Sequence, residues 1–171
     1  MAEPAASRRV YEGRHVRVDE EEWPGVGTWE VVRPLDAAAI LALTPNLEAV
    51  LVRQFRPPVR GSLLEIPAGL LDVDDETPED CARRELLEET GYRASWIEPL
   101  TTYFASPGHS SERVHVFLAR TGARPEGEPE ADLEVVRRPL SELVAEARGG
   151  GIRDPKTSLA LLLAAAGAPA G

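Results

Sequence analysis

The segment Thr77–Tyr92 constrains this chain more than any other, because it specifies a helix at both ends and loads one face of it with acid. Thr77 can act as N-cap, Pro78 suits the first helical position, and Glu79 and Asp80 favour the positive end of the helix dipole. Thr77 and Asp80 have the spacing of a capping box, with Asp replacing the usual Glu or Gln. Gly91 stands where a left-handed C-cap belongs. The segment therefore predicts a helix over Pro78–Thr90, roughly 20 Å long, packing through Ala82 and Leu86 with help from Cys81 and Leu87.

The rest of the chain supplies partners for that helix. Trp29–Val32 is a short β-like run, and the apolar runs Ala37–Thr44 and Leu47–Phe55 are split by Pro45-Asn46, a hairpin signature. A loop over Arg56–Gly61 leads to a short strand, Leu63–Ile66, ended by Pro67-Ala68-Gly69. Strands are expected at Trp96–Phe104, Val114–Ala119 and Leu133–Val136, and helices at Pro139–Arg148 and Lys156–Ala166. The first eight residues read as frayed, Tyr11–Glu22 as polar with weak alternation, and Thr121–Asp132 as a mobile acidic loop. Strands before, between and after helices predict an α/β (α+β) architecture.

At 171 residues the chain fits one domain, or one domain with a small appendage, and needs no disulfide or structural metal to fold. Its one cysteine, Cys81, rules out an intramolecular disulfide and favours a reducing compartment, hence the cytoplasm. No apolar run approaches the ~20 residues of a membrane span, and the first residues lack the charged-then-apolar order of a secretory signal. A net charge of −10 argues against nucleic-acid or anionic-membrane partners. It leaves a phosphorylated small molecule open, because a bound divalent cation reverses the local sign.

Glu85, Glu88 and Glu89 fall at i, i+3 and i+4 of the helix, so their side chains share a face within about 6 Å. Three ionised carboxylates there repel one another unless neutralised, and oxygen ligands at that density suit Mg²⁺ or Mn²⁺. Taken alone, the cluster reads as a solvated acidic face. Its setting changes that reading. Glu76, seven residues, then Arg84-Glu85-Leu86-Leu87-Glu88-Glu89-Thr90-Gly91-Tyr92 resembles the Nudix box of hydrolases acting on nucleoside diphosphates linked to another moiety. One departure stands out: Leu70 occupies the position of the box's first glycine, and Gly69 lies one residue earlier, so the loop carries an extra residue. Gln54-Phe55-Arg56, Leu64–Gly69 and Ser106-Pro107-Gly108 with Glu112 resemble the ADP-ribose pyrophosphatase branch, and the resembling segments run from about Ala37 to Ala166.

The resemblance implies a Nudix α/β/α sandwich with a mixed sheet over residues 37–171, and a small β segment over residues 1–36 that serves a homodimer and substrate binding. It implies Mg²⁺, with Mn²⁺ as a substitute, held by Glu85, Glu88, Glu89 and the Ala68 carbonyl. Arg84 would hold the carboxylates by ion pairing and Glu76 would support the loop. Cations bridging phosphate and water oxygens stabilise charge on a diphosphate. Arg53 and Arg56 are expected to grip phosphate or ribose oxygens, for which guanidinium forks are suited, and Glu65 and Glu112 to face the substrate.

The general base is the weakest match. Ungapped alignment puts Ala131 at the position where the branch carries a loop glutamate; its neighbour Glu130 is the candidate instead. His109 and His115 read as surface or packing residues, Cys81 as a half-buried helix residue, and Trp29 as a core or dimer contact that could stack on adenine. The implied reaction is hydrolysis of ADP-ribose to AMP and ribose 5-phosphate. The alternatives are a sugar nucleotide, an oxidised nucleoside triphosphate, or a catalytically silent nucleotide-binding module.

Overall fold

A computed structural model describes residues 3–14 and 16–167. Met1 and Ala2, in the stretch expected to fray, and residues 168–171, at the end of the expected catalytic domain, lie outside them.

Polar sequence makes the first sheet. β1 (Ala6–Glu12), β2 (Arg17–Trp23) and β3 (Gly27–Arg33) pair antiparallel in the order β1-β2-β3. Backbone ladders hold the strands, and opposite charges face each other across them. Arg8 meets Glu20 at 2.9 Å, Arg9 meets Asp19 at 2.5 Å, and Arg33 reaches both Asp19, at 3.4 Å, and Glu21. The expectation of a frayed start is thus corrected from Ala6 onward. Hydropathy misses this strand because cross-strand ion pairs replace apolar alternation.

The second sheet is built around a strand with no polar side. β4 (Ala37–Leu43) sends Ala38, Ile40 and Ala42 to one face and Ala39, Leu41 and Leu43 to the other, and both sets are buried. A near-continuous apolar run is what a strand covered on both faces requires. On the first face Ala38, Ile40 and Ala42, with Val50 and Phe117, pack under Cys81, Ala82 and Leu86 of α1 (Pro78–Thr90). On the second, Ala39 and Leu41, with Leu51 and Val116, pack against Leu143 of α2 (Leu140–Arg148) and Leu161 of α3 (Pro155–Ala166). The result is the expected α/β/α sandwich. Its strands run in the order β10-β5-β4-β9-β8, with β6 added to β5 and β7 to β4. These are β5 (Glu48–Arg56), β6 (Gly61–Glu65), β7 (Ala68–Leu70), β8 (Ala94–Phe104), β9 (Arg113–Thr121) and β10 (Glu134–Pro139). β4 and β9 are parallel and the remaining pairs antiparallel, so the sheet is mixed.

The helix α1 spans the residues its caps predict. Thr77 Oγ1 accepts from the Asp80 N–H at 3.1 Å, and Gly91 closes the helix at φ 73° with its N–H on the Leu87 carbonyl. Gly91 is needed twice over, since a Cβ there would also collide with the Gly127 carbonyl. The hairpin between β4 and β5 forms around Pro45-Asn46, but Leu47 belongs to the turn, at φ 57°, and β5 begins at Glu48. Ala68 and Gly69, expected to end a strand, form the short strand β7.

α3 is locked to the sheet by a buried polar relay. Asp154 caps the helix by accepting from the Thr157 N–H at 2.9 Å, and Thr157 Oγ1 both donates to Asp154 and accepts from the Ile66 N–H at 2.8 Å. Thr157→Val keeps the shape but strands a buried backbone donor. It is expected to lower stability by about 1–3 kcal/mol, measurable as the urea midpoint at unchanged slope.

Candidate active site

The carboxylate cluster lies on the α1 face that meets β7. Glu89 is 6 % exposed and accepts from the Ala68 N–H at 3.2 Å. Glu85 lies against Gly69, so closely that any Cβ on Gly69 would run into its carboxylate. Gly69 therefore plays the part of the box's first glycine despite its offset by one residue. Between Gly69 and Glu76 the loop turns sharply, with Asp75 at φ 62° and the Glu76 N–H on the Val73 carbonyl at 3.2 Å. Gly69→Ala is expected to displace Glu85 and lower turnover by about 10- to 100-fold. Its cost to the fold is small, because the obstructing atoms are the end of a flexible side chain; steady-state kinetics beside a thermal melt would check both halves.

Arg84 organises the cluster. Its Nε sits 2.8 Å from Glu76, and its Nη1 lies 2.6 Å from Glu85 and 2.9 Å from Glu88. The Arg84 hydrogen bonds hold the Glu76 carboxyl below its usual range. Burial pushes Glu89 up to about 7, and the Glu85 and Glu130 charges add to the shift. Burial also raises Glu85, against the pull of Arg84. The donors are all oxygen, and the buried Glu89 carboxylate is raised by burial first and by neighbouring acids after it, so the chemistry of the set fits a hard divalent cation. Among the described residues no three carboxylates already converge on a single point, and Arg84 draws Glu85 and Glu88 toward itself.

Beside the cluster opens a cleft of about 470 Å³, lined by Arg56, Glu65, Ala68, Gly69, Glu112 and Lys156 among others. Glu65 is 1 % exposed. Arg56 grips it with two hydrogen bonds of 2.8 Å, and Lys156 Nζ bonds it from the N-terminus of α3 while also meeting Asp154 at 3.0 Å. Burial alone would raise the Glu65 carboxyl; Arg56 and Lys156 outweigh it and hold it below its usual value. Glu112 is raised by burial first and by Asp36 second, with Lys156 opposing.

The structure thus brings together Glu85, Glu88, Glu89, Arg84 and Ala68 at the helix, and Arg56, Glu65 and Glu112 in the cleft. Arg53 is not among the cleft residues: it points to the sheet edge, where it pairs with Glu134 at 3.1 Å. Glu130 reaches the cluster through its backbone, with its N–H on the Glu88 carbonyl at 3.0 Å. The loop that carries it is pinned, because the Glu126 and Gly127 N–H groups also bond the Gly91 carbonyl. The acceptors are carbonyls that the end of α1 leaves without helical partners, so this acidic loop packs on the C-terminal turn of α1.

Lys156 and Asp154 went unread in sequence. The Asp154-Pro155-Lys156-Thr157 cap was legible as a helix start, but nothing in it locates Glu65, 91 residues away. Cys81 is fully buried rather than half-buried, and burial raises its thiol to about 12, so it is no nucleophile. His109 and His115 pair locally with Ser106 and Thr102. Trp29, 46 % exposed, lines a separate groove of about 350 Å³ between the first sheet and the loop Pro107–Ser111.

Three clustered glutamates on one helix, clamped by an arginine beside a cleft lined by charges of both signs, give this α/β/α sandwich a site suited to a divalent cation and a phosphorylated ligand. A NUDIX domain model matches residues 33–158, and the chain belongs to that family. It is 35% identical to an ADP-ribose pyrophosphatase of Bacillus subtilis over 91% of this chain and 88% of the other. It is 45% identical to an ADP-ribose pyrophosphatase of Mycobacterium tuberculosis over 70% of this chain and 58% of the other. To a GDP-mannose pyrophosphatase of Cronobacter sakazakii it is 39% identical over 73% of this chain and 70% of the other. The chain is a Nudix pyrophosphohydrolase. Among the described residues no helix is long and apolar enough to cross a membrane.

Proposed function

We propose that the chain hydrolyses ADP-ribose to AMP and ribose 5-phosphate, with Mg²⁺ as cofactor and Mn²⁺ as substitute. The observation that carries this reading is the adjacency of the α1 glutamates to the cleft of Arg56, Glu112 and Lys156, because a diphosphate needs neutralising charge on one side and donors on the other. The similarity to the Bacillus ADP-ribose pyrophosphatase over 91% of the chain supports this substrate. Glu85, Glu88, Glu89 and the Ala68 carbonyl would hold the cation. When bound, it offsets diphosphate charge and lowers the pKa of a nearby water. Arg84 keeps the glutamates in place, and Arg56 offers its free donors to the substrate. Glu112 and Glu65 shape the cleft, and Glu130 takes the proton from the attacking water.

A sugar nucleotide such as GDP-mannose is the second reading, supported by the Cronobacter relative. Residues 1–36 form, in this proposal, a β segment for homodimerisation and substrate binding ahead of the catalytic residues 37–171. Exposed Val10, Tyr11, Val26 and Trp29 on that segment support it. The lone buried thiol supports a reducing compartment, the cytoplasm. The test is AMP release from ADP-ribose with Mg²⁺, run against GMP release from GDP-mannose. Faster turnover of ADP-ribose upholds the lead substrate, and the reverse order replaces it. Glu130→Gln should lower kcat by about 10²-fold with KM little changed.

A further inference from the structure

We infer that Asp36 is a positioning residue for Glu112: it ties together the two strands that wall the cleft and so sets where Glu112 stands relative to Ala68 and Gly69. The inference rests on the cleft being the substrate site, as proposed above.

The geometry begins with β4, which lies between β7 and β9. At Ala37 the ladder is complete on both sides, with Leu70 across on β7 and Val114 across on β9, and all three residues line the cleft. One residue earlier, Asp36 continues both ladders with different groups. Its backbone carbonyl accepts from the Leu71 N–H at 2.9 Å. Its carboxylate accepts from the Arg113 N–H at 3.0 Å and from the Arg113 guanidinium at 2.9 and 2.6 Å. Leu71 follows directly on Gly69-Leu70, the strand that meets Glu85 and Glu89, and Arg113 follows directly on Glu112. One residue thus anchors the metal-side wall through its main chain and the Glu112 wall through its side chain.

The side chain is needed for a local reason. The Arg113 N–H is the first amide of β9, one residue before the pairing with β4 begins at Val114, and the Asp36 carbonyl is already taken by the Leu71 N–H. A carboxylate one residue ahead of β4 fills that place, and charge-assisted bonds to the guanidinium hold it there. The loop before Glu112 has its own restraints. The Val32 N–H bonds the His109 carbonyl at 2.7 Å and the Ser111 N–H bonds the Val32 carbonyl at 3.1 Å. Those ties fix the loop to β3, and Glu112 itself accepts from the Ala105 N–H at 3.0 Å and donates its N–H to Ser110 Oγ at 3.2 Å; among the described residues Asp36 is what ties the residue after Glu112 to the Leu70-Leu71 wall. The Asp36 charge also acts on Glu112, with burial ahead of it and Lys156 against it.

Two measurements decide the matter. By NMR hydrogen exchange on the full chain, Asp36→Ala should speed exchange of the Arg113 amide by about 10-fold or more, while Asp36→Asn, which keeps an acceptor oxygen, restores most of the protection. Unchanged Arg113 exchange in Asp36→Ala overturns the inference, whatever the enzyme hydrolyses. In the kinetic arm, Asp36→Ala should lower kcat/KM by about 10-fold in the native background and change it less than 2-fold in a Glu112→Gln background, because the two act as one unit. An equal loss in both backgrounds also overturns it, since Asp36 would then act apart from Glu112. A native chain inert on both nucleotide substrates fails the functional reading alone, and the exchange result still stands or falls by itself.

Discussion

Glu89→Gln is expected to lower turnover by 10²-fold or more and, with divalent ions chelated at pH 8, to make the protein more stable. Both effects come from one buried carboxylate. Glu89 is nearly sealed from water, and burial raises it from an ordinary 4.5 to about 7. A carboxyl whose folded value lies above its unfolded value binds a proton preferentially in the folded state. The native chain therefore loses stability as pH rises from about 4.5 through 7, and the full cost persists above that range. Glutamine removes the charge while its oxygen can still accept from the Ala68 N–H. The gain at pH 8 is about 1–3 kcal/mol, falling toward zero at pH 4. Mg²⁺ should shrink the difference, because only the carboxylate gains from the ion. Thermal melts at pH 4 and 8, with chelator and with Mg²⁺, would check the sign. Equal stability of the two forms at pH 8 in chelator would sink it.

Arg56→Met is expected to destabilise the fold by about 1–3 kcal/mol, because it takes both guanidinium hydrogen bonds from a buried carboxylate. It leaves Glu65, 1 % exposed, with Lys156 as its remaining cation. The sign with pH is opposite to that of Glu89. Arg56 and Lys156 hold the Glu65 carboxyl below its ordinary 4.5 despite burial, so its contribution is present above about pH 4.5 and lost as pH falls through the depressed folded value. In Arg56→Met that acid-sensitive contribution shrinks, and the melting temperature should change less with pH between 5 and 3 than in the native chain. The double variant Arg56→Met/Glu65→Leu should recover most of the stability while staying inactive. If the single substitution costs less than about 1 kcal/mol by urea unfolding, Glu65 is not held as described.

How much of this was readable in one dimension varies with the range of the interaction. The bounds of α1, its acid-bearing face and its buried face follow from caps and i, i+4 spacing, interactions closed within a single helix. The two-faced burial of β4 follows from its unbroken apolar run. β1 was missed because its partners are ions on the next strand, which hydropathy does not count. Glu65 looked like a strand carboxylate free to face a ligand; its alternation was right, but the cations that claim it arrive from β5 and from α3. Arg53 and Arg56 looked alike in sequence. They project to opposite sides of β5, where one finds Glu134 at the sheet edge and the other Glu65 in the cleft.

By itself, then, the sequence determined the helix, the carboxylate spacing and the central strand, since each rests on contacts a few residues apart. The tertiary structure decided which acids are sealed, which cations they keep, and that Gly69 rather than Leu70 meets Glu85. Those outcomes depend on chain crossings of dozens of residues, where a carboxylate's proton affinity is set by whatever topology places beside it.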